Sequence, residues 1–353
     1  MNRVSAIKII GSIGLVISML LNGCTTNSIT DNNVSGNDLT ATEVIRLMGN
    51  GINLGNTLEA YNHKSYVELG VDPTSFETLW GQPVTTREMI DDMKAMGFDT
   101  LRIPVAWTNG INYESGDYTI DERLMNRVDE VVNYALDADM YVILNEHWDG
   151  SWWGMFGSGD EAVREKGMAL YKSMWTQICE HFSDYSYKLI FESANEELCH
   201  RLNDSDVTGT EGVLSEDECY ETTNRINSEF VKLVRSTGGK NADRFLLIAG
   251  YNTDFRKTCD DRYQMPEDTA KDKLLLSVHY YTPWDYCSDG NAKRWGTPGD
   301  YEEQNSLFQM LTKFTDLGYG VVIGEYAVMG AANKPDRDKF YANLLDNCDL
   351  YNY

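Results

Sequence analysis

From about residue 50 onward, short apolar runs alternate with longer stretches in which apolar residues return at helical spacing. The apolar runs predict strands over residues 52–56, 100–107, 141–147, 189–195, 245–251, 274–281 and 321–326. Several are continuous rather than alternating, as expected of parallel strands covered on both faces. The helical patterns predict helices near 121–138, 160–182, 216–236, 301–317 and 336–346. A further helix opens at Thr85-Thr86-Arg87-Glu88, a helix-start signature, with Met89, Ile90, Met93 and Met96 following at helical spacing.

Strand and helix alternate from about residue 50 onward, and no GxGxxG follows any strand. The pattern therefore predicts an α/β chain of the (β/α)8 TIM-barrel class rather than a doubly wound dinucleotide fold. A barrel of that class has eight strands, and seven are read here. After the helix at 336–346 the last stretch is Cys348-Asp349-Leu350-Tyr351-Asn352-Tyr353. The barrel is thus expected to be truncated before or within strand 8.

The chain has 353 residues, which fits one barrel behind a leader. Arg3 and Lys8 precede an apolar run over 9–21 that is short and broken by Gly and Ser. It ends in Leu21-Asn22-Gly23-Cys24, which resembles a bacterial lipoprotein processing box, with Cys24 as the lipidated residue. An ordinary secretory signal with an incidental Cys is the alternative. Residues 1–24 are therefore expected to be a signal peptide, 25–40 a flexible tether, and 41–353 the barrel domain. Export to the cell surface, or secretion, follows, with membrane contact only through the lipid anchor.

Composition narrows the partners. A formal charge of −25 opposes nucleic acid and anionic polymers but not a neutral polysaccharide. Six cysteines remain after Cys24, none in a CxxC pair, so no structural zinc site is expected. Export permits disulfides, but six cysteines leave the pairing open, and buried free thiols fit equally well.

Barrel enzymes carry their chemistry at the C-terminal ends of the strands. Those ends hold Asn56 and Glu59, Arg102, His147-Trp148-Asp149, Asn195-Glu196-Glu197, His279-Tyr280-Tyr281 and Glu325-Tyr326. Polar groups set in apolar strands cost free energy unless paired or functional. Glu196 and Glu325 stand at strands on opposite sides of the mouth. Two carboxylates facing across a cleft suit retaining glycoside hydrolysis, in which one protonates the leaving oxygen and the other attacks the anomeric carbon. A pair of carboxylates merely paired with Arg102 is the structural alternative. Asn195 is placed to bond a sugar hydroxyl, Tyr281 and Arg102 to hold the nucleophile ionised, and His147 and His279 to orient carboxylates or hydroxyls. His147, Asp149 and His279 are too scattered to predict a metal site, and no GxSxG supports an esterase. Trp148, Trp152, Trp153, Trp284 and Trp295 fall in strand-end loops, as sugar-stacking platforms or as caps over the barrel mouth.

The segments GINLGNTLEA (51–60), LWGQPVTTREMIDDMKAMGFDTLRIPVAW (79–107), MYVILNEHWDG (140–150), LIFESANEE (189–197), SVHYYTP (277–283) and VVIGEYAV (321–328) resemble glycoside hydrolase family 5, the cellulase family, and within it the bacterial endoglucanases. The resemblance implies a barrel that cleaves β-1,4-glycans with retention and needs no cofactor or metal. It implies Glu196 as acid/base, Glu325 as nucleophile, supporting roles for Arg102, His147, Asn195, His279 and Tyr281, and substrate contacts at Asn56 and Glu59. The chain departs from the family where His147 is followed by Trp148 rather than a second His, and where Glu196 is followed by Glu197 rather than Pro. It also lacks the family's strand-8 Trp in what is read here. The expected activity is endo-β-1,4-glucanase on cellulose and related β-glucans, as a monomer, with Trp148 and Trp284 among the substrate contacts. Xyloglucanase, mannanase or xylanase action, or glycan binding without turnover, are the alternatives. Two opposed glutamates favour an enzyme over a binding module.

Overall fold

In a computed structural model, residues 36–288, 290, 292–330 and 333–353 are described. The expected leader, Cys24 and most of the tether lie outside the described residues. Seven strands form one sheet in chain order: β1 (Gly51–Asn53), β2 (Thr100–Ile103), β3 (Tyr141–Asn145), β4 (Leu189–Glu192), β5 (Leu246–Ala249), β6 (Leu274–Tyr280) and β7 (Gly320–Tyr326). Every neighbouring pair is parallel. Helices alternate with the strands, so the sheet curls into a barrel of the (β/α)8 type.

Burial follows the sequence pattern. Strands β2 to β6 are buried at every residue, as continuous apolar runs require, while β1 and most of β7 are partly exposed. The helices begin where side chains satisfy their free N–H groups. Ser215 and Glu218 form a capping box at the start of Glu216–Ser236, and Thr297 and Asp300 form another at Pro298–Met310. The Thr86 hydroxyl caps Arg87–Ala95, the helix start read from the sequence.

Two differences from the sequence reading matter for the site. The strands are shorter at their C-terminal ends, with β3 stopping at Asn145 and β4 at Glu192. His147 and Glu196 therefore stand on the chain just beyond the ladder, where the strands splay to make a mouth. The last helix, Arg337–Tyr351, also runs further than the periodicity of 336–346. It packs Phe340, Leu344 and Asn347 inward, so Cys348–Tyr351 are helical. No eighth strand is present among the described residues.

The sheet consequently has two edges, β1 and β7, which are not paired with each other. Between them lies a groove of about 690 Å³, lined by Met48 and Phe98 at one end and by Glu325 and Tyr281 at the other. Asn53 of β1 spans it, its Nδ2 donating to the Gly324 carbonyl of β7 at 2.9 Å. Close packing of β7 against the preceding elements leaves no room for a side chain at Gly320, where a Cβ would lie 2.6 Å from the Ala41 carbonyl oxygen and from Leu275. Cys179, Cys199, Cys219, Cys259, Cys287 and Cys348 are all free thiols. No helix among the described residues is long and apolar enough to cross a membrane.

Candidate active site

Arg102 organises the floor of the barrel mouth. It points inward from β2, is 3% exposed, and fans out to four partners. Its Nε donates to Glu192 Oε2 at 2.7 Å, and Nη2 donates to Asn195 Oδ1 at 2.9 Å. Nη1 donates to Glu325 Oε1 at 2.8 Å and to Asn53 Oδ1 at 3.2 Å. Glu192 takes a second bond from the Ser277 hydroxyl at 2.6 Å. A planar guanidinium with five donors is suited to tying four strand ends together in this way.

The pairing of β6 with β7 shifts at Val278/His279. Val278 faces Ile323, but His279 faces Glu325, so Gly324 is an extra residue on β7. Such a bulge re-aims the side chains that follow it. Here it turns Glu325 toward His279 and Arg102. Space at the bulge is tight: a Cβ on Gly324 would sit 3.1 Å from His279 Nε2 and from the Ser277 hydroxyl, so a side chain there would press on both.

The two carboxylates predicted from the sequence meet across this ring. His279 Nδ1 lies 2.9 Å from Glu196 Oε1 and 3.6 Å from Glu325 Oε2. Ligand atoms of Glu196, His279 and Glu325 all fall within 4.8 Å of one another. The Tyr281 hydroxyl donates to Glu325 Oε2 at 2.9 Å. Both oxygens of Glu325 are thus already hydrogen-bonded, one to a guanidinium and one to a phenol. The three-residue set has the composition of a cation site, but the Arg102 charge on the same carboxylate opposes a second cation there.

The electrostatics separate the roles of these groups. Burial alone would push the Glu325 carboxyl up, but the charges of His279 and Arg102 and the Tyr281 hydrogen bond hold it well below the usual carboxylate range. Burial opposes charge on His279, yet Glu325 and the bond to Glu196 outweigh it and raise the imidazole. Burial and the Glu325 charge raise the Tyr281 phenol, so it remains a neutral donor. His147 is different: burial and then the Arg102 charge push it down to about 3, so it is a neutral ring. Its Nδ1 lies 3.2 Å from Asn145 Nδ2, and it lines the groove beside Glu325.

The remaining sequence candidates divide. Asn56 follows β1 in a left-handed conformation, φ 62°, and is exposed. Glu59 is buried beneath it, accepting from the backbone N–H of Asn56 and, at 2.8 Å, from that of Thr57, so its oxygens shape the turn. Trp284 is 66% exposed and meets Tyr281 edge-on, with ring centroids 6.2 Å apart. Trp148 is half-buried and meets Tyr61 edge-on at 5.4 Å. Trp152, Trp153 and Trp295 are buried and are not platforms. Trp152 and Trp153 belong to the turn Trp152–Gly157 and pack with Phe156 and Tyr171, because an aromatic-dense stretch is driven into the core. The sequence reading missed Glu192 and Asn53, the partners that hold Arg102.

Residues 64–351 match the sequence profile described as Cellulase (glycosyl hydrolase family 5). The chain belongs to glycosyl hydrolase family 5, the cellulase family. Endoglucanase A of Paenibacillus barcinonensis is 35% identical over 328 residues, spanning 85% of this chain and 75% of that protein. A xyloglucan-specific endo-beta-1,4-glucanase of Bacteroides ovatus is 34% identical over 312 residues, 84% of this chain and 59% of that protein. The chain thus spans under two thirds of some longer relatives. Among solved structures, a GH5-4 broad specificity endoglucanase from Ruminococcus champanellensis with bound cellotriose superposes with a TM-score of 0.76 at 33% identity. That superposition covers 89% of this chain and 88% of the other. A family 5 chain with such relatives is an enzyme, an endo-β-1,4-glucanase.

Proposed function

We propose that this family 5 chain cleaves internal β-1,4-glucosidic bonds with retention, using Glu196 as acid/base and Glu325 as nucleophile. The observation that carries the assignment is the approach of Glu196 and Glu325, with one oxygen of each within 4.8 Å of the other. Retaining enzymes hold their two carboxyl groups about 5–5.5 Å apart, whereas inverting enzymes leave room for a water between them. The two residues also have different surroundings. Glu325 is kept ionised by Arg102, His279 and Tyr281, as an attacking carboxylate must be. Glu196 is tied to His279 and lies only 3.8 Å from the guanidinium of Arg201 at the more open side of the mouth.

In the first step a Glu325 oxygen bonds to the anomeric carbon as the bond from that carbon to the glycosidic oxygen breaks. The Glu196 proton passes to the departing oxygen, and a glycosyl ester on Glu325 remains. In the second step Glu196 takes a proton from water, the water oxygen bonds to the anomeric carbon, and Glu325 leaves as carboxylate. Asn195, fixed by Arg102, is positioned for a sugar hydroxyl near the reacting carbon.

Glu196→Gln is expected to lower kcat/KM on carboxymethylcellulose by about 10²–10⁴-fold. On a dinitrophenyl cellobioside, whose leaving group needs no proton, the glycosylation step should be nearly unaffected. Equal losses on both substrates would remove the acid/base role, and an α-anomer as the first product by proton NMR would remove retention.

The substrate class we infer is cellulose and soluble β-glucans. A second reading, xyloglucan, is favoured by the Bacteroides ovatus relative, and comparing rates on the two polymers decides between them. Export with lipidation at Cys24 also fits a polymeric substrate outside the cell, supported by Leu21-Asn22-Gly23-Cys24. Labelled palmitate should enter the wild-type chain in a bacterial host and not Cys24→Ser, and equal labelling would contradict the anchor.

A further inference from the structure

The two carboxyl oxygens of Glu196 have different neighbours. Oε1 lies 2.9 Å from His279 Nδ1. Oε2 faces the guanidinium of Arg201, whose Nη2 is 3.8 Å away, too far for a hydrogen bond. Among the described residues that guanidinium has no hydrogen bond to the protein, and the Arg201 side chain is 41% exposed. Its five donors therefore stand open at the mouth, whereas those of Arg102 are taken up by Glu192, Asn195, Glu325 and Asn53. The backbone beneath Arg201 is held firmly. Beyond β4 the chain passes through Glu196 into the short helix His200–Asn203. The Cys199 thiol sits between the Glu196 carbonyl oxygen at 3.4 Å and Asn252 Oδ1 at 3.1 Å, and its sulfur accepts from the Arg201 backbone N–H at 3.4 Å. Leu202 is fully buried, and its carbonyl packs so closely on Gly157 that a Cβ there would run into it. The base of Arg201 is thus fixed relative to Glu196 although its tip is in the open.

We propose that Arg201 is a substrate-binding residue that holds the sugar on the leaving side of the scissile bond by donating to that sugar's hydroxyls. This rests on the assignment of Glu196 as acid and Glu325 as nucleophile. A carboxylate that attacks the anomeric carbon approaches opposite the bond it breaks, so the departing sugar lies on the far side of that carbon from Glu325. Glu325 is held by Arg102, His279 and Tyr281, and Arg201 is not among its partners. Arg201 approaches the pair only at Glu196 Oε2, the oxygen that His279 leaves free to face the leaving oxygen. A guanidinium at that place stands beside the leaving sugar. Its planar fork of donors suits two neighbouring hydroxyl oxygens of a neutral hexosyl unit, which offer acceptors and no charge. The competing role is a charge that acts on Glu196 alone, and the two differ in the substrate they need. A hydroxyl contact requires a sugar on the leaving side, whereas an effect on the acid requires only a leaving group that must be protonated.

The test measures kcat/KM for the full chain, Arg201→Ala and Arg201→Lys on three substrates. Cellotetraose has sugar on the leaving side and needs a proton there. Phenyl cellobioside needs the proton but has no sugar there, and dinitrophenyl cellobioside needs neither. Arg201→Ala is expected to lower kcat/KM on cellotetraose by about 10–100-fold and to leave both aryl cellobiosides near wild type. Arg201→Lys keeps the charge and some donors, so it should recover part of the loss on cellotetraose. A loss of equal size on phenyl cellobioside would mean that Arg201 acts on the acid, and would overturn the proposal. Equal rates for wild type and Arg201→Ala on cellotetraose would also overturn it. The unfolding temperature of Arg201→Ala should match wild type, because the guanidinium has no hydrogen bond to the protein among the described residues. A lower temperature with losses on all three substrates would reduce Arg201 to a structural contact. Glu196→Gln tests the underlying reading separately. It should lose activity on cellotetraose and phenyl cellobioside but hardly on dinitrophenyl cellobioside, and a uniform loss on all three would remove the acid assignment whatever Arg201 does.

Discussion

Glu325→Gln is expected to lower kcat on carboxymethylcellulose by on the order of 10⁴-fold or more, with little change in KM. The amide keeps the shape of the carboxyl beside Tyr281 and Arg102, but one of its two acceptors and the charge paired with Arg102 are lost, so the unfolding temperature should fall as well. What is lost is the negative charge and the lone pair that, in the proposed mechanism, forms the bond to the anomeric carbon. No other group at the site can replace it: Asn195 is neutral, Tyr281 is held as a phenol, and Glu192 is buried between Arg102 and Ser277. The loss should exceed that in Glu196→Gln, because a proton can be supplied by water to a good leaving group but a carboxylate nucleophile cannot. Mass spectrometry of wild type trapped with a slow fluorosugar substrate should place the adduct on the peptide that contains Glu325. An adduct on a different peptide would overturn the assignment. The low-lying carboxyl adds a pH expectation. Glu325 stays ionised through the ordinary carboxylate range, so an acid limb near pH 4–5 should survive its replacement in any residual activity.

The resemblance and the strand-end rule together make most of the candidate site legible in the sequence. Arg102, His147, Asn195, His279, Tyr281 and the two glutamates are polar residues at the ends of otherwise apolar runs. Polarity out of place is the signal a sequence can carry. Glu192 carries the same signal in LIFESAN, but its partner Arg102 is far away in sequence and only the curled sheet brings them to 2.7 Å. Asn53 is hidden for the same reason. Gly324 had a readable mark, a glycine within an apolar strand, which is a bulge signal. Its effect on His279 still depends on how β6 and β7 pair. The tryptophans left two readings open, platform or cap, for a different reason. Exposed and buried loop aromatics look alike one at a time, but Trp152 and Trp153 sit in the dense run WWGMF, which the core takes up, while Trp284 is followed by Asp285 and stays at the surface. The last helix runs past the 336–346 pattern because Asn347, though polar, lies on the same buried face as Phe340 and Leu344.

Arg102→Met is expected to destabilise the chain by about 3–5 kcal/mol and to abolish most activity. Methionine fills much of the volume and is apolar, so packing alone predicts a mild effect. The cost comes from what Arg102 leaves behind. Glu192 is 0% exposed, and the Ser277 hydroxyl would be its one remaining hydrogen-bond donor. A buried carboxylate stripped of its cation must ionise at high cost or take up a proton. Glu325 would lose a charge that helps hold it ionised, and Asn195 the donor that fixes its amide. Arg102→Lys should fall between, since an ammonium keeps the charge but cannot reach Glu192, Glu325 and Asn195 at once in the guanidinium's fork. The decisive comparison is the double variant Arg102→Met with Glu192→Gln. Removing the stranded carboxylate should recover much of the lost stability in urea unfolding, while activity stays low because Glu325 and Asn195 remain unsupported. Recovery of both together would mean that Arg102 serves only the fold. Recovery of neither would mean that the buried Arg102–Glu192 pair is not the source of the cost.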